Sequence, residues 1–193
     1  MSSNSVIKRS LLTLAALLSL AVQAEETEVV ERDDSWYQRS WNAVAKTYRE
    51  GQSELYVPLR THHLRFAYDR EKIAEYNEKP LGLGYGRGYY DERGNWHGVY
   101  VMGFQDSHAK PEWMLGYSWK AMWGERSGWQ TGLGYTAFVT TRSDIGNYTP
   151  IPGVLPVAAI SYRNFSLEGT YVPGGRNNGN ILFFWGKWSF GDR

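Results

Sequence analysis

The chain has 193 residues, no cysteine and a formal net charge of +1, with 42% apolar and 16% aromatic residues. A near-neutral balance leaves no electrostatic footprint for nucleic acid, and the lack of Cys removes disulfides as a source of stability. No His/Cys cluster or acidic Ca²⁺ loop signals a metal, so none is expected.

Lys8 and Arg9 precede an apolar run from Leu11 to Val22, and Ala24 closes a Val22-Gln23-Ala24 cleavage pattern, so residues 1–24 read as a secretory signal peptide. Losing Lys8 and Arg9 keeps the mature chain close to neutral. Residues 25–34 form an acidic N-terminal arm with few apolar side chains. Over 35–51, Tyr37, Trp41, Val44 and Tyr48 recur at helical spacing, with Asp34 or Ser35 as a cap and Gly51 as a stop. The spacing predicts an amphipathic interfacial helix, which could equally pack on a domain.

From 52 to 193 the chain reads as strands separated by turn chemistry. The expected limits are 54–68, 80–90, 95–106, 112–124, 128–141, 153–162, 164–173 and 179–190. Connections of alternating length, and no mature apolar run long enough for a spanning helix, suit an outer-membrane barrel. The wealth of Trp and Tyr fits aromatic girdles at two membrane interfaces, although an aromatic-rich soluble β-protein shares the composition. Alternation predicts which face meets lipid. Trp113, Leu115, Tyr117, Trp119, Ala121 and Trp123 share one face, while Met114, Gly116, Ser118, Lys120 and Met122 share the other. In the second strand Gly82, Gly84, Gly86 and Gly88 line one side, opposite Leu83, Tyr85, Arg87 and Tyr89. Such a row implies an inner face with room left open, a small-residue and largely apolar lumen suited to a hydrocarbon tail.

Four histidines are present. His62, Leu64, Phe66 and Tyr68 fall on the bulky, lipid-like face of the first strand, which turns His63 inward. The third strand ends in Gln105-Asp106-Ser107, and both strands run toward the longer loops, so His63, Asp106 and Ser107 can meet at one rim. A His, a carboxylate and a hydroxyl so placed could serve acyl transfer, with His as proton acceptor and Asp106 orienting or stabilising it. Asp and Ser at a strand end are also ordinary turn formers. His97, by a short turn on the opposite rim, and His108, in a loop, read as surface polar residues.

The stretches THHLRFAYDREKIAEYNEKPLGLGYG (61–86), DERGNWHGVYVMGFQDS (91–107), NYTPIPGVLP (147–156) and TYVPGGRNNGN (170–180) resemble the lipid A palmitoyltransferase family from Trp36 to Phe190. That resemblance implies an all-β, eight-stranded antiparallel transmembrane barrel with an N-terminal amphipathic α-helix, located in the bacterial outer membrane. It implies an acyltransferase, needing no cofactor, that moves a fatty acyl chain from a glycerophospholipid to lipid A and releases a lysophospholipid. Its essential histidine matches His63 and its Asp-Ser pair matches Asp106 and Ser107. Pro58 and Pro80 flank the first strand pair, and Pro156 and Pro173 the sixth and seventh strands. By resemblance these prolines mark weakened pairing where lipids enter sideways, although proline ending a strand at an interface is the plainer alternative.

One departure concerns specificity. In the best-known members a glycine in a Gly-Tyr-Gly-Trp stretch floors the acyl pocket, where this chain reads Gly116-Tyr117-Ser118-Trp119. A hydroxymethyl group at Ser118 raises that floor, which predicts an acyl group somewhat shorter than palmitate. The assembly expected is a monomer or weak dimer. A non-enzymatic small barrel with a structural or adhesion role would share the strand alternation but fill its interior with a polar or salt-bridged network. A lipid carrier of lipocalin type would need polar outer faces, which the Trp113 to Trp123 series opposes.

Overall fold

The computed structural model describes residues 35–144 and 146–191. The expected signal peptide (1–24) and acidic arm (25–34) lie outside the described residues. Helix α1 (Trp36–Glu50) ends where the Gly51 amide meets the Thr47 carbonyl at 2.9 Å. Eight strands follow: β1 (Gln52–His63), β2 (Gly82–Tyr90), β3 (Trp96–Gln105), β4 (Pro111–Gly124), β5 (Trp129–Thr141), β6 (Ile151–Tyr162), β7 (Phe165–Val172) and β8 (Ile181–Ser189). Each pairs antiparallel with its neighbour, and β8 returns to β1, closing a barrel. Closure leaves no free sheet edge, so strand amides can be partnered within hydrocarbon except along two seams. The short helix α2 (Arg70–Ala74) lies in the β1–β2 connection. No helix among the described residues is long and apolar enough to cross a membrane.

The alternation expected for the wall is present. Trp113, Leu115 and Trp123 are exposed outward, and Ser118 and Lys120 are buried inward. Trp123, Trp129, Tyr162, Phe165 and Trp188 gather near the rim of the short turns, where Trp129 and Tyr162 rings lie 5.0 Å apart. Amphipathic rings at that level suit a membrane interface.

β1 departs from the expectation in two ways. It stops at His63 rather than running to residue 68, so Tyr68 is buried instead of facing lipid, and only Phe66 of that pair stays exposed. Its register against β8 also shifts between Pro58 and Arg60. A slip of one residue swaps the faces of every following side chain. Glu54 and Tyr56 point inward below the bulge, yet above it Thr61 and His63 do so, leaving His62 partly exposed.

The lumen corrects the expectation of small residues and open space. Gly84, Gly86 and Gly88 do face inward, but side chains lie across them: a Cβ on Gly86 would stand 2.7 Å from the Tyr56 ring, and one on Gly88 2.8 Å from Trp96. The glycines therefore make room for large neighbours. Tyr56, Tyr100, Met102, Phe104, Val157, Phe183 and Trp185 form the apolar upper interior. Below Ser118, toward the short-turn rim, the interior is ionic: Lys120, Glu168, Lys187 and Glu54 are all no more than 2% exposed. Lys120 Nζ stands 2.5 Å from Glu168, and Lys187 Nζ 3.0 Å from Glu54 and 3.3 Å from Glu168. Both lysines also flank the Trp96 ring, at 3.8 and 3.4 Å. The salt-bridged interior expected of a passive barrel is thus present, confined to the lower half.

Two seams in the wall are incompletely paired. The β1–β2 ladder runs from Gln52↔Gly88 to Tyr56↔Gly84 and ends two residues before Pro58. The β6–β7 ladder runs from Tyr162↔Phe165 to Val157↔Thr170, beside Pro156. Proline offers no amide to a ladder, so pairing ends where it would otherwise be left unsatisfied. Pro80 and Pro173 sit just outside β2 and β7.

Candidate active site

Above the apolar lumen, three loops meet over the end of β1. His63 is 2% exposed, its ring stacked on Tyr76 at 4.5 Å and met edge-on by Tyr68 at 5.0 Å. Tyr68 is anchored in turn by a hydrogen bond from its hydroxyl to the Gly179 carbonyl. Ser107, just past β3, places Oγ 3.2 Å from His63 Nε2. His63 and Ser107 are therefore brought together as expected.

Asp106 is brought to the same rim but not to the ring. Its Oδ1 accepts the amides of His108 and Lys110, each at 2.8 Å, while its own amide donates to the Lys110 carbonyl. Those bonds fold the 106–110 turn that presents Ser107. Asp106 Oδ2 is buried without a hydrogen bond, 3.9 Å from His108 Nδ1.

The carboxylate that touches the imidazole is Glu78, which sequence reasoning did not single out. Glu78 Oε1 accepts the His63 amide at 3.1 Å and lies 3.2 Å from His63 Nδ1. Glu78 Oε2 takes Arg65 at 2.8 Å and Arg60 at 3.2 Å. The Glu78 carbonyl accepts the Thr61 amide at 3.1 Å. Beyond the last β1–β2 pair, the amides of Thr61 and His63 would lack a strand partner, and Glu78 supplies both acceptors. Burial alone would raise the Glu78 carboxyl, but the Arg65 hydrogen bond and the bonds from His63 outweigh it and hold it at about 2. An ionised carboxylate can only accept, so the contact with Nδ1 requires the proton on Nδ1 and leaves the Nε2 lone pair facing the Ser107 hydroxyl. The same segment ties the loops together: Tyr76 stacks on His63, and the Asn77 amide donates to the Ser107 carbonyl at 2.8 Å.

His97 stays apart from this cluster, whereas His108 borders it, its ring edge-on to Tyr76 at 5.3 Å. His97 is held on the outer face by Tyr117 at 2.6 Å and Asp91 at 3.1 Å, and His108 is exposed. Ser118 lies deep below, 4% exposed, its hydroxyl donating to the Tyr135 carbonyl at 3.0 Å. Loop residues such as Glu78 and Tyr76 carry no periodic signal, which is why alternation could not find them. For Lys120, Glu168 and Lys187 the signal existed, since each falls on the inward parity of its strand.

A family model described as "Antimicrobial peptide resistance and lipid A acylation protein PagP" matches residues 43–187. A protein of Methylobacillus flagellatus named "Lipid A acyltransferase PagP" is 48% identical over 95% of this chain and 99% of its own length. One of the same name from Laribacter hongkongensis is 50% identical over 79% of this chain and 74% of its own. Among solved structures, the outer membrane protein Ail of Yersinia pestis aligns over 72% of this chain and 99% of its own, with a TM-score of 0.39 and 9% identity.

Proposed function

The chain belongs to the PagP family of lipid A acylation proteins, and we propose that it draws its acyl group from a glycerophospholipid, with His63 and Ser107 at the reacting centre. It is an outer-membrane lipid A acyltransferase, an enzyme whose barrel wall is apolar and aromatic toward the bilayer.

The observation that carries the proposal is the 3.2 Å approach of Ser107 Oγ to His63 Nε2, above an upper interior lined by apolar side chains. In the proposed transfer, His63 Nε2 takes the proton of the attacking hydroxyl. The oxygen adds to the donor's ester carbonyl, and the tetrahedral adduct expels the lysophospholipid alkoxide, which receives that proton from His63. Ser107 serves as the nucleophile that first carries the acyl group, or as the donor to the developing oxyanion. Asp106 balances the positive charge that builds on the imidazole, through a buried Oδ2 with no competing hydrogen bond. Lipids reach the centre through the seams near Pro58 and Pro80 and near Pro156 and Pro173, where missing ladder bonds lower the cost of parting the strands.

The test uses detergent-refolded full chain with phospholipid and lipid A. Lysophospholipid and acylated lipid A are expected in equal amounts, and His63→Ala is expected to give a folded barrel that retains only a trace rate of either. Full transfer by His63→Ala, or acylated lipid A with no lysophospholipid, would refute the assignment.

A further inference from the structure

We propose that Glu78 is a positioning residue for the transfer: its carboxylate, seated in the seam between β1 and β2, fixes the His63 ring in the tautomer and orientation that leave Nε2 free to accept a proton at Ser107. This rests on the reading of His63 as the base, and it assigns to Glu78 the orienting task that sequence reasoning gave to Asp106.

The geometry is over-determined in a way that a chance surface ion pair is not. Glu78 Oε1 accepts from both the amide and the ring of His63, so the carboxylate is referenced to the backbone of the residue that it orients. Oε2 is held separately by Arg65 and Arg60, which leaves Oε1 to His63. On its other side the ring is confined by Tyr76 and Tyr68, so the Glu78 contact selects among few allowed settings. Ser107, His63 and Glu78 then form one chain from hydroxyl to imidazole to carboxylate, with links of 3.2 and 3.2 Å. A carboxylate on Nδ1 both selects the Nδ1–H tautomer and stabilises the imidazolium that forms when Nε2 is protonated. Asp106 is unsuited to that first task, because its Oδ1 is committed to the amides of its own turn.

The expected behaviour is a chemical-step defect. Glu78→Gln should lower kcat by about 10³-fold to 10⁴-fold with KM changed less than about threefold, approaching the loss of about 10⁴-fold seen when the orienting acid of a Ser-His-Asp triad is neutralised. Glu78→Asp should recover part of that loss. The charged and titratable groups around the ring are Glu78, Arg60, His62, Arg65, Tyr68 and Tyr76, with Asp106 and His108 across the Ser107 turn. Removing the one anion bonded to the ring should move the acidic limb of the kcat–pH profile to lower pH, because the imidazole then loses its proton more readily. A loosened loop would depress the rate at every pH and leave that limb in place.

Two measurements keep the proposal falsifiable. In the wild-type barrel, nitrogen-15 NMR of labelled histidine should show His63 protonated at Nδ1 and bare at Nε2; the opposite tautomer overturns the proposal even if Glu78→Gln fails to fold. In kinetics, His63→Ala with Glu78→Gln should be no slower than His63→Ala alone, since an orienting group has nothing left to orient. A multiplicative further loss, or Glu78→Gln within about threefold of wild type with an unmoved acidic limb, overturns it. Wild-type activity in His63→Ala would instead sink the base assignment itself, which separates the two failures.

Discussion

Removing the charge of Glu168 should be among the most damaging single changes in the barrel. Two cations and two anions sit below Ser118 and sum to zero, each no more than 2% exposed. Glu54 is also hydrogen bonded by Ser189 at 2.9 Å and Tyr56 at 2.9 Å, whereas Lys120 Nζ and Glu168 Oε1 have no aligned hydrogen bond and rely on charge and on the Trp96 face. Glu168 is the only carboxylate within ion-pair distance of Lys120 among the described residues. At about 3 Å and an effective dielectric near 20, one such attraction is worth about 5 kcal/mol before desolvation is counted. Glu168→Gln leaves one uncompensated cation in the bore and should cost about 3–5 kcal/mol. Removing both partners, as Glu168→Gln with Lys120→Met, restores neutrality, keeps the Glu54–Lys187 pair and should return to within about 2 kcal/mol of wild type. Equilibrium urea unfolding from phospholipid vesicles, followed by tryptophan fluorescence, measures all three differences. A loss below about 1 kcal/mol for Glu168→Gln, or a double variant as unstable as the sum of the singles, would refute the picture of a tightly coupled buried cluster.

Ser118→Gly removes an inward hydroxymethyl group that now bonds the Tyr135 carbonyl, so it should admit about one more methylene and favour longer chains by about fourfold per methylene, at about 0.8 kcal/mol each. Mass spectrometry of lipid A from cells carrying either form reads the result, and identical acyl profiles would reject Ser118 as the floor. Glu78 has a folded-state carboxyl near 2 against an ordinary 4.5, so its contribution to stability should be fully present above pH 4.5 and disappear as pH falls through about 2. Acid unfolding of Glu78→Gln should lack that component; curves with the same acid dependence in both proteins would contradict it.

Much of the barrel was legible from residue order because inward and outward positions along a strand repeat every two residues, whatever lies across the sheet. The Trp113 to Trp123 face, the inward Gly84 to Gly88 row and the inward Ser118 follow from that local rule. The inward turn of His63 was legible too, from its bulky neighbours. The Leu59 bulge that turns His63 inward, after Tyr56 has already pointed inward, was not. Nor was the identity of its carboxylate partner: Glu78 sits in an aperiodic loop and reaches the ring only because β1–β2 pairing stops at Tyr56 and leaves amides that need acceptors. The ionic floor draws Glu54, Lys120, Glu168 and Lys187 from β1, β4, β7 and β8, and their distances depend on how the closed sheet is sheared. Alternation is a property of one strand's backbone, whereas these meetings are properties of closure, which no single strand encodes.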